Sequence, residues 1–140
     1  MTNGLYLFAL FIGLFALARS GLDYRTLYLI SYGAFSIMAA MISLTFLWLW
    51  ASKDTPLALG MSYSWAGAAS VMGWWWVFTV FGQPVQMEQS QVFFVFLSLY
   101  FVGAIMHFSV ILDRAQAPRV VMLIPVGASL AVSILAHAIF

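Results

Sequence analysis

Residues 27–51 read LYLISYGAFSIMAAMISLTFLWLWA, a run without a single charge. A helix needs about 20 mostly apolar residues to cross the hydrocarbon layer of a bilayer, so this stretch is long enough to span. A helix is expected rather than a strand because lipid offers backbone amides no partners, and a helix satisfies its amides within one segment. Four further runs share this character: 1–18, 56–82, 92–112 and 120–140. The expected fold is an all-α integral membrane protein, one bundle of five transmembrane helices at 1–18, 27–51, 56–82, 92–112 and 120–140. The linkers Arg19–Thr26, Ser52–Thr55, Gln83–Gln91 and Asp113–Arg119 are short, so the 140 residues form a single transmembrane domain with no soluble unit.

Composition agrees. The chain is 65% apolar and 6% charged, whereas a soluble domain carries about a quarter of its residues as Asp, Glu, Lys and Arg. A net charge of +1 leaves no basic face for nucleic acid. The chain has no cysteine, which excludes disulfides, thiolate metal sites and thiol nucleophiles. No Lys or Arg precedes Leu5, so the basic start of a signal peptide is missing and the first run is expected to be retained.

Charge gives orientation only weakly. With five spans, Arg19 and Arg25 lie on one side, and Lys53, Arg114 and Arg119 on the other. Lys and Arg favour the cytoplasmic side, and three against two is close to a tie. A re-entrant third run would place Arg19, Arg25, Arg114 and Arg119 together against Lys53. A full crossing is preferred, because 27 residues at about 1.5 Å each reach about 40 Å. The N-terminus is placed outside and the C-terminus inside. Pro56 opens the third run behind an Asp54 or Thr55 cap. Pro125, inside the fifth, is expected to bend it.

Small residues mark where membrane helices approach closely. They recur at Gly60, Ser64 and Ala68, at Ala69 and Gly73, and at Gly33, Ser36, Ala40 and Ser43. Shorter sets are Ala9, Gly13 and Ala16 in the first run, and Gly127 and Ala131 in the fifth. The fourth run is crowded with Phe93, Phe94, Phe96, Tyr100, Phe101 and Phe108 on all sides, as a lipid-facing or partner-facing helix would be. Trp48 and Trp50 beside Lys53 fit an interfacial belt. Trp74, Trp75 and Trp76 are consecutive, so they must point different ways around a helix. They read as an anchor, or as an aromatic wall against a bound lipophilic molecule.

Ionisable residues within a span are suspects for function. Here they are His107 and His137. His107 lies about 9 Å of helix from Asp113 and His137 about 27 Å from Arg119, so the two cannot share one haem or metal within a chain. Asp23, Asp54, Glu88 and Asp113 all fall in linkers. Ion-coupled transporters usually bury a carboxylate near midplane, and this chain has none there. There is no Ser-His-Asp set at common depth, no glycine-rich phosphate loop and no inverted repeat. The candidate ligand-binding residues are His107, Trp74, Trp75, Trp76 and Tyr100, for a bound lipid, quinone, carotenoid, haem or other lipophilic ligand. No metal site and no catalytic set is expected. The expected role is a non-catalytic accessory or assembly subunit of a larger complex in a bacterial inner membrane. Its partners would be membrane lipid and other membrane subunits, or further copies of itself. The alternatives are a small oligomeric channel or transporter, and a binder of a lipophilic cofactor.

Overall fold

Each apolar run forms a helix. In chain order these are α1 (Thr2–Gly21), α2 (Tyr24–Lys53), α3 (Pro56–Val80), the single turn α4 (Val85–Glu88), α5 (Val92–Arg114) and α6 (Leu123–Ile139), with a 3-10 turn at Arg119–Met122 before α6. The structure is a computed structural model describing residues 2–139, apart from the side chains of 2, 3, 119, 122 and 126. Met1 and Phe140, the outermost residues of the first and fifth runs, lie outside the described residues. No strand occurs among the described residues. Three stretches are long and apolar enough to cross a membrane: Gly4–Gly21, Tyr24–Lys53 and Val85–Arg114.

The ends of the helices follow local chemistry. The Asp23 carboxylate accepts a hydrogen bond from the Thr26 amide at 3.2 Å. That cap starts α2 at Tyr24, three residues ahead of the apolar run. Asp54 adopts left-handed backbone (φ 47) and its amide bonds the Trp50 carbonyl, so it closes α2. Asp54 therefore caps the preceding helix. Thr55 holds the N-cap position of α3, but its hydroxyl makes no cap bond and is buried without a partner. Pro56 fits the first turn of α3, where its missing amide would be unbonded anyway. At the other end Gly82 (φ 74) and Gln83 (φ 63) are consecutive left-handed residues, and they turn the chain sharply into α4.

α3 runs antiparallel between α2 and α5. Along α5, Gly60 meets the His107 backbone, Ser64 meets Gly103, and Gly67 meets the Tyr100 backbone. Along α2, Ser62 meets Ser43, Ala69 meets Ser36, and Trp76 lies on Gly33. A Cβ on Gly60 would come within 2.6 Å of the His107 amide nitrogen, and one on Gly33 within 2.8 Å of the Trp76 ring. Backbones this close require glycine. α3 is rich in Gly, Ser and Trp and, unlike α2 and α5, is not among the three stretches long and apolar enough to cross. It is nonetheless the most buried helix, with Ala58, Gly60, Ser62, Ser64, Gly67, Ala69 and Phe78 all inside. A helix surrounded by protein can carry hydroxyls and glycines that would be poorly placed against acyl chains.

Hydroxyls hold α2 to α3. Ser43 Oγ donates to the Ser62 carbonyl at 2.8 Å, and Ser62 Oγ donates to the Ser43 carbonyl at 3.0 Å. Ser36 Oγ donates to the Ala69 carbonyl at 2.8 Å. α3 is continuous over 25 residues. The reversal that a re-entrant third run needs does not occur within it.

Pro125 differs from expectation. The fifth run is divided, because the 3-10 turn takes Arg119–Met122 and α6 begins at Leu123. Pro125 is thus third in the helix, where no intrahelical amide bond is lost. The run breaks ahead of the proline instead of bending at it. α1 and α6 are the outer helices. α1 touches the rest of the chain sparsely, along α2, and its side chains from Gly4 to Leu17 are exposed. Nothing lies within 4 Å of where a Cβ would stand on Gly13 or Gly127.

Candidate functional site

The three tryptophans diverge as consecutive helical residues must. Trp76 turns inward onto Gly33 of α2. Trp74 turns toward α5, its ring 5.9 Å from that of Phe96. Trp75 is 46% exposed. Its ring stands nearly perpendicular to Phe78 (5.5 Å, 84°) and to Phe93 (6.0 Å, 74°). Phe93 in turn meets Phe94 edge-on at 6.0 Å. Rings set at right angles cannot stack flat. They line a partly open hollow of about 460 Å³ together with Gln83, Met87, Glu88 and Ser90.

His107 sits at the other end of the same α3–α5 seam. Its Nδ1 lies 3.0 Å from the Gly103 carbonyl and 3.1 Å from Ser64 Oγ. A carbonyl only accepts, so using both contacts puts the proton on Nδ1, shared between the two oxygens, and leaves Nε2 as the lone-pair nitrogen. In the other tautomer Ser64 donates to Nδ1 and the Gly103 contact carries no bond. Either way His107 ties α5 to α3. It lines a hollow of about 350 Å³ with Phe35, Met61, Ser64, Trp65, Ala68 and Tyr100. Tyr100 also borders a groove of about 520 Å³ between α5 and α6, floored by Phe101, Ala104 and Phe108 and roofed by Pro125 and Leu130.

The candidate residues therefore separate. Tyr100 and His107 share one hollow, Trp74 and Trp75 another, and Trp74 and Trp76 border a third of about 360 Å³ beside the α2–α3 contact that Trp76 makes with Gly33. No protein family, characterised protein or solved structure matches this chain. The chemistry must be read from the geometry alone.

Ser64 and His107 superficially resemble a nucleophile and its base. Ser64 is buried at 8% exposure. Its own helix already uses the nearby amides, so no donor pair faces it to stabilise an oxyanion. Asp113 stands six residues along α5, about 9 Å away, too far to orient the imidazole. Among the described residues, no three His, Asp or Glu side chains come together as a metal site.

Two features escaped the sequence reading. Tyr24, Tyr28 and Tyr32 form a ladder up the start of α2, with ring centroids 6.4 and 4.1 Å apart. Their spacing of four was a visible signal. Glu88 reaches the tryptophan hollow only because the chain doubles back through Gly82 and Gln83. A pattern of apolar runs carries no sign of that.

Proposed function

We propose that this protein is a five-span subunit of a larger complex in a bacterial inner membrane, acting as a non-catalytic accessory or assembly component. The observation that carries this reading is an imbalance in packing. The glycines of α2 and α3 (Gly33, Gly60, Gly67 and Gly73) all face close neighbours, whereas Gly13 of α1 and Gly127 of α6 face nothing within 4 Å. Stripes of small residues in lipid serve helix contact, so α1 and α6 are the docking faces for partner subunits or further copies. Lengths are adequate for five crossings. α6 at 17 residues spans about 26 Å, and the 3-10 turn ahead of it adds about 8 Å. The small residues of α3, which a pore would need along its lumen, are occupied by α2 and α5.

The test is purification in mild detergent. Other membrane proteins are expected in fixed stoichiometry, and Gly13→Leu or Gly127→Leu releases them without unfolding the α2–α3–α5 core. A lone homo-oligomer, or partners indifferent to both substitutions, would overturn the accessory role.

A second reading is a binder of a lipophilic ring such as a quinone. It is favoured by the hollow that Tyr100 and His107 share, where imidazole nitrogen and phenol provide an acceptor and a donor beside apolar walls. A visible or near-ultraviolet absorbance altered by His107→Ala supports it, and a ligand-free preparation from native membranes counts against it.

A further inference from the structure

The hollow at the Gly82 end has an unusual lining for a membrane protein. Its walls are the rings of Trp74, Trp75, Phe78, Phe93 and Phe94, and the one charged group on it is the Glu88 carboxylate. Aromatic faces carry partial negative charge, and so does the rim. The lining's one formal charge is negative and no cation among the lining residues balances it, so a cationic guest is favoured over an anion; Gln83 and Ser90 are neutral. A purely apolar occupant such as an acyl chain would leave the carboxylate without a role.

We infer that this hollow is an aromatic cage for an organic ammonium group, with Glu88 as its counter-charge. A compact inorganic cation is a poor fit, because it needs about six oxygen ligands in place of its water. An alkylammonium is large and weakly hydrated, and it is held by ring faces together with one carboxylate. A space of about 460 Å³ suits such a headgroup with part of what it is attached to. The cage lies at the Gly82 end of α3, beside the start of α2 where Arg25 shares a hollow with Thr79 and Gly82; aromatic residues at the end of a span suit the depth of lipid headgroups.

The ammonium can come from a lipid or from a free cation. Arg25 lines a neighbouring hollow with Thr79, Gly82 and Gln83, and Gln83 borders both. A zwitterionic lipid would place its ammonium in the cage and its phosphate toward the Arg25 guanidinium. A free cation would make no use of Arg25. The inference is independent of the accessory role, because it concerns a hollow formed within one chain.

The experiment uses the full-length protein in dodecyl maltoside, titrated with tetraethylammonium chloride against potassium chloride at matched ionic strength. Tryptophan emission is expected to change saturably with tetraethylammonium alone. Glu88→Gln raises the half-saturation concentration about tenfold, and Trp75→Leu does so by a similar factor. Trp48→Leu, at the opposite end of the bundle, leaves it unchanged. Glu88 is exposed, so its substitution tests binding without threatening the fold. Competition by short-chain phosphocholine lipid and phosphoglycerol lipid then identifies the source. If the phosphocholine lipid competes and Arg25→Gln weakens it but not tetraethylammonium, the ammonium is lipid-borne. If neither lipid competes, the cage serves a free cation. Equal responses to tetraethylammonium and potassium, or half-saturation unmoved by both Glu88→Gln and Trp75→Leu, would overturn the cage.

Discussion

At the residue scale, closeness is concentrated at a few positions. Gly103 stands where a Cβ would run into the Ser64 backbone. Gly103→Ala must push α5 off α3, an overpacking cost of about 1–3 kcal/mol. Unfolding in mixed detergent micelles should show that loss, while Gly13→Ala, at an open position, should show none. The serine clasp between α2 and α3 behaves differently. Ser43→Ala and Ser62→Ala each remove one hydroxyl bond to a carbonyl, worth about 0.6 kcal/mol on average in a membrane interior. Each acceptor is backbone and survives the other's substitution. The double variant should therefore lose nearly the sum of the singles, and a large coupling energy would show that the 3.3 Å contact between the two hydroxyls dominates. Asp23 adds a pH dependence. Hydrogen bonds from the Thr26 side chain and then its amide hold the Asp23 carboxyl below its ordinary value. A depressed folded pKa means that the cap is fully present above the unfolded value and is lost as pH falls through the folded one. Corrected for intrinsic rate, amide exchange at Thr26 should speed up on acidification, and Asp23→Ala should abolish that dependence.

At the element scale, the sequence located the helices well and their ends less well. Runs 27–51, 56–82 and 92–112 all became helices within a few residues, because uncharged length is the quantity lipid selects. The stripes Gly60–Ser64 and Gly33–Ser36–Ser43 were legible as contact faces for the same reason that they pack, since small side chains admit a neighbouring backbone. What could not be read was which stripe meets which helix. The α3 stripe divides into a face for α5 (Gly60, Ser64, Gly67) and another for α2 (Ser62, Ala69, Gly73), and Ala39, not Ala40, is the residue fully closed off, at 1% exposure. Pro125 was misplaced because a run of apolar residues does not show where a helix restarts. Its first-turn position predicts that Pro125→Ala leaves stability nearly unchanged. A proline in a helix interior costs about 3 kcal/mol, so a gain approaching that size in Pro125→Ala would show that the helix does continue through residues 119–125. The tryptophan hollow was half legible. Trp74 and Trp75 were visible as a wall, but Glu88 joins them through two left-handed residues that only the folded chain reveals.

At the scale of the whole molecule, the bundle is a three-helix core with two outer helices that it does not hold tightly. Lipid makes this arrangement tolerable, because an apolar helix loses nothing by facing acyl chains. Orientation is where the whole chain is least determined. Arg19 and Arg25 lie at one end and Lys53 and Arg114 at the other, since α2, α3 and α5 alternate in direction. The bias that usually fixes topology is nearly cancelled. The chain has no cysteine, so single substitutions report sidedness without background. In sealed vesicles, Ser52→Cys and Gln86→Cys should label from opposite faces, since they flank the two ends of α3. Labelling from one face would mean that α3 does not cross. The near tie also makes orientation easy to shift. With the N-terminus outside, Gln86 faces the cytoplasm together with Arg19 and Arg25. Replacing both arginines by Gln turns two against three into none against three, and a substantial share of Gln86→Cys protein should then label from the opposite face. If the labelling does not move at all, charge is not what sets direction. Under the proposed accessory role a partner on α1 and α6 would then set it, and expression without such a partner should produce both orientations.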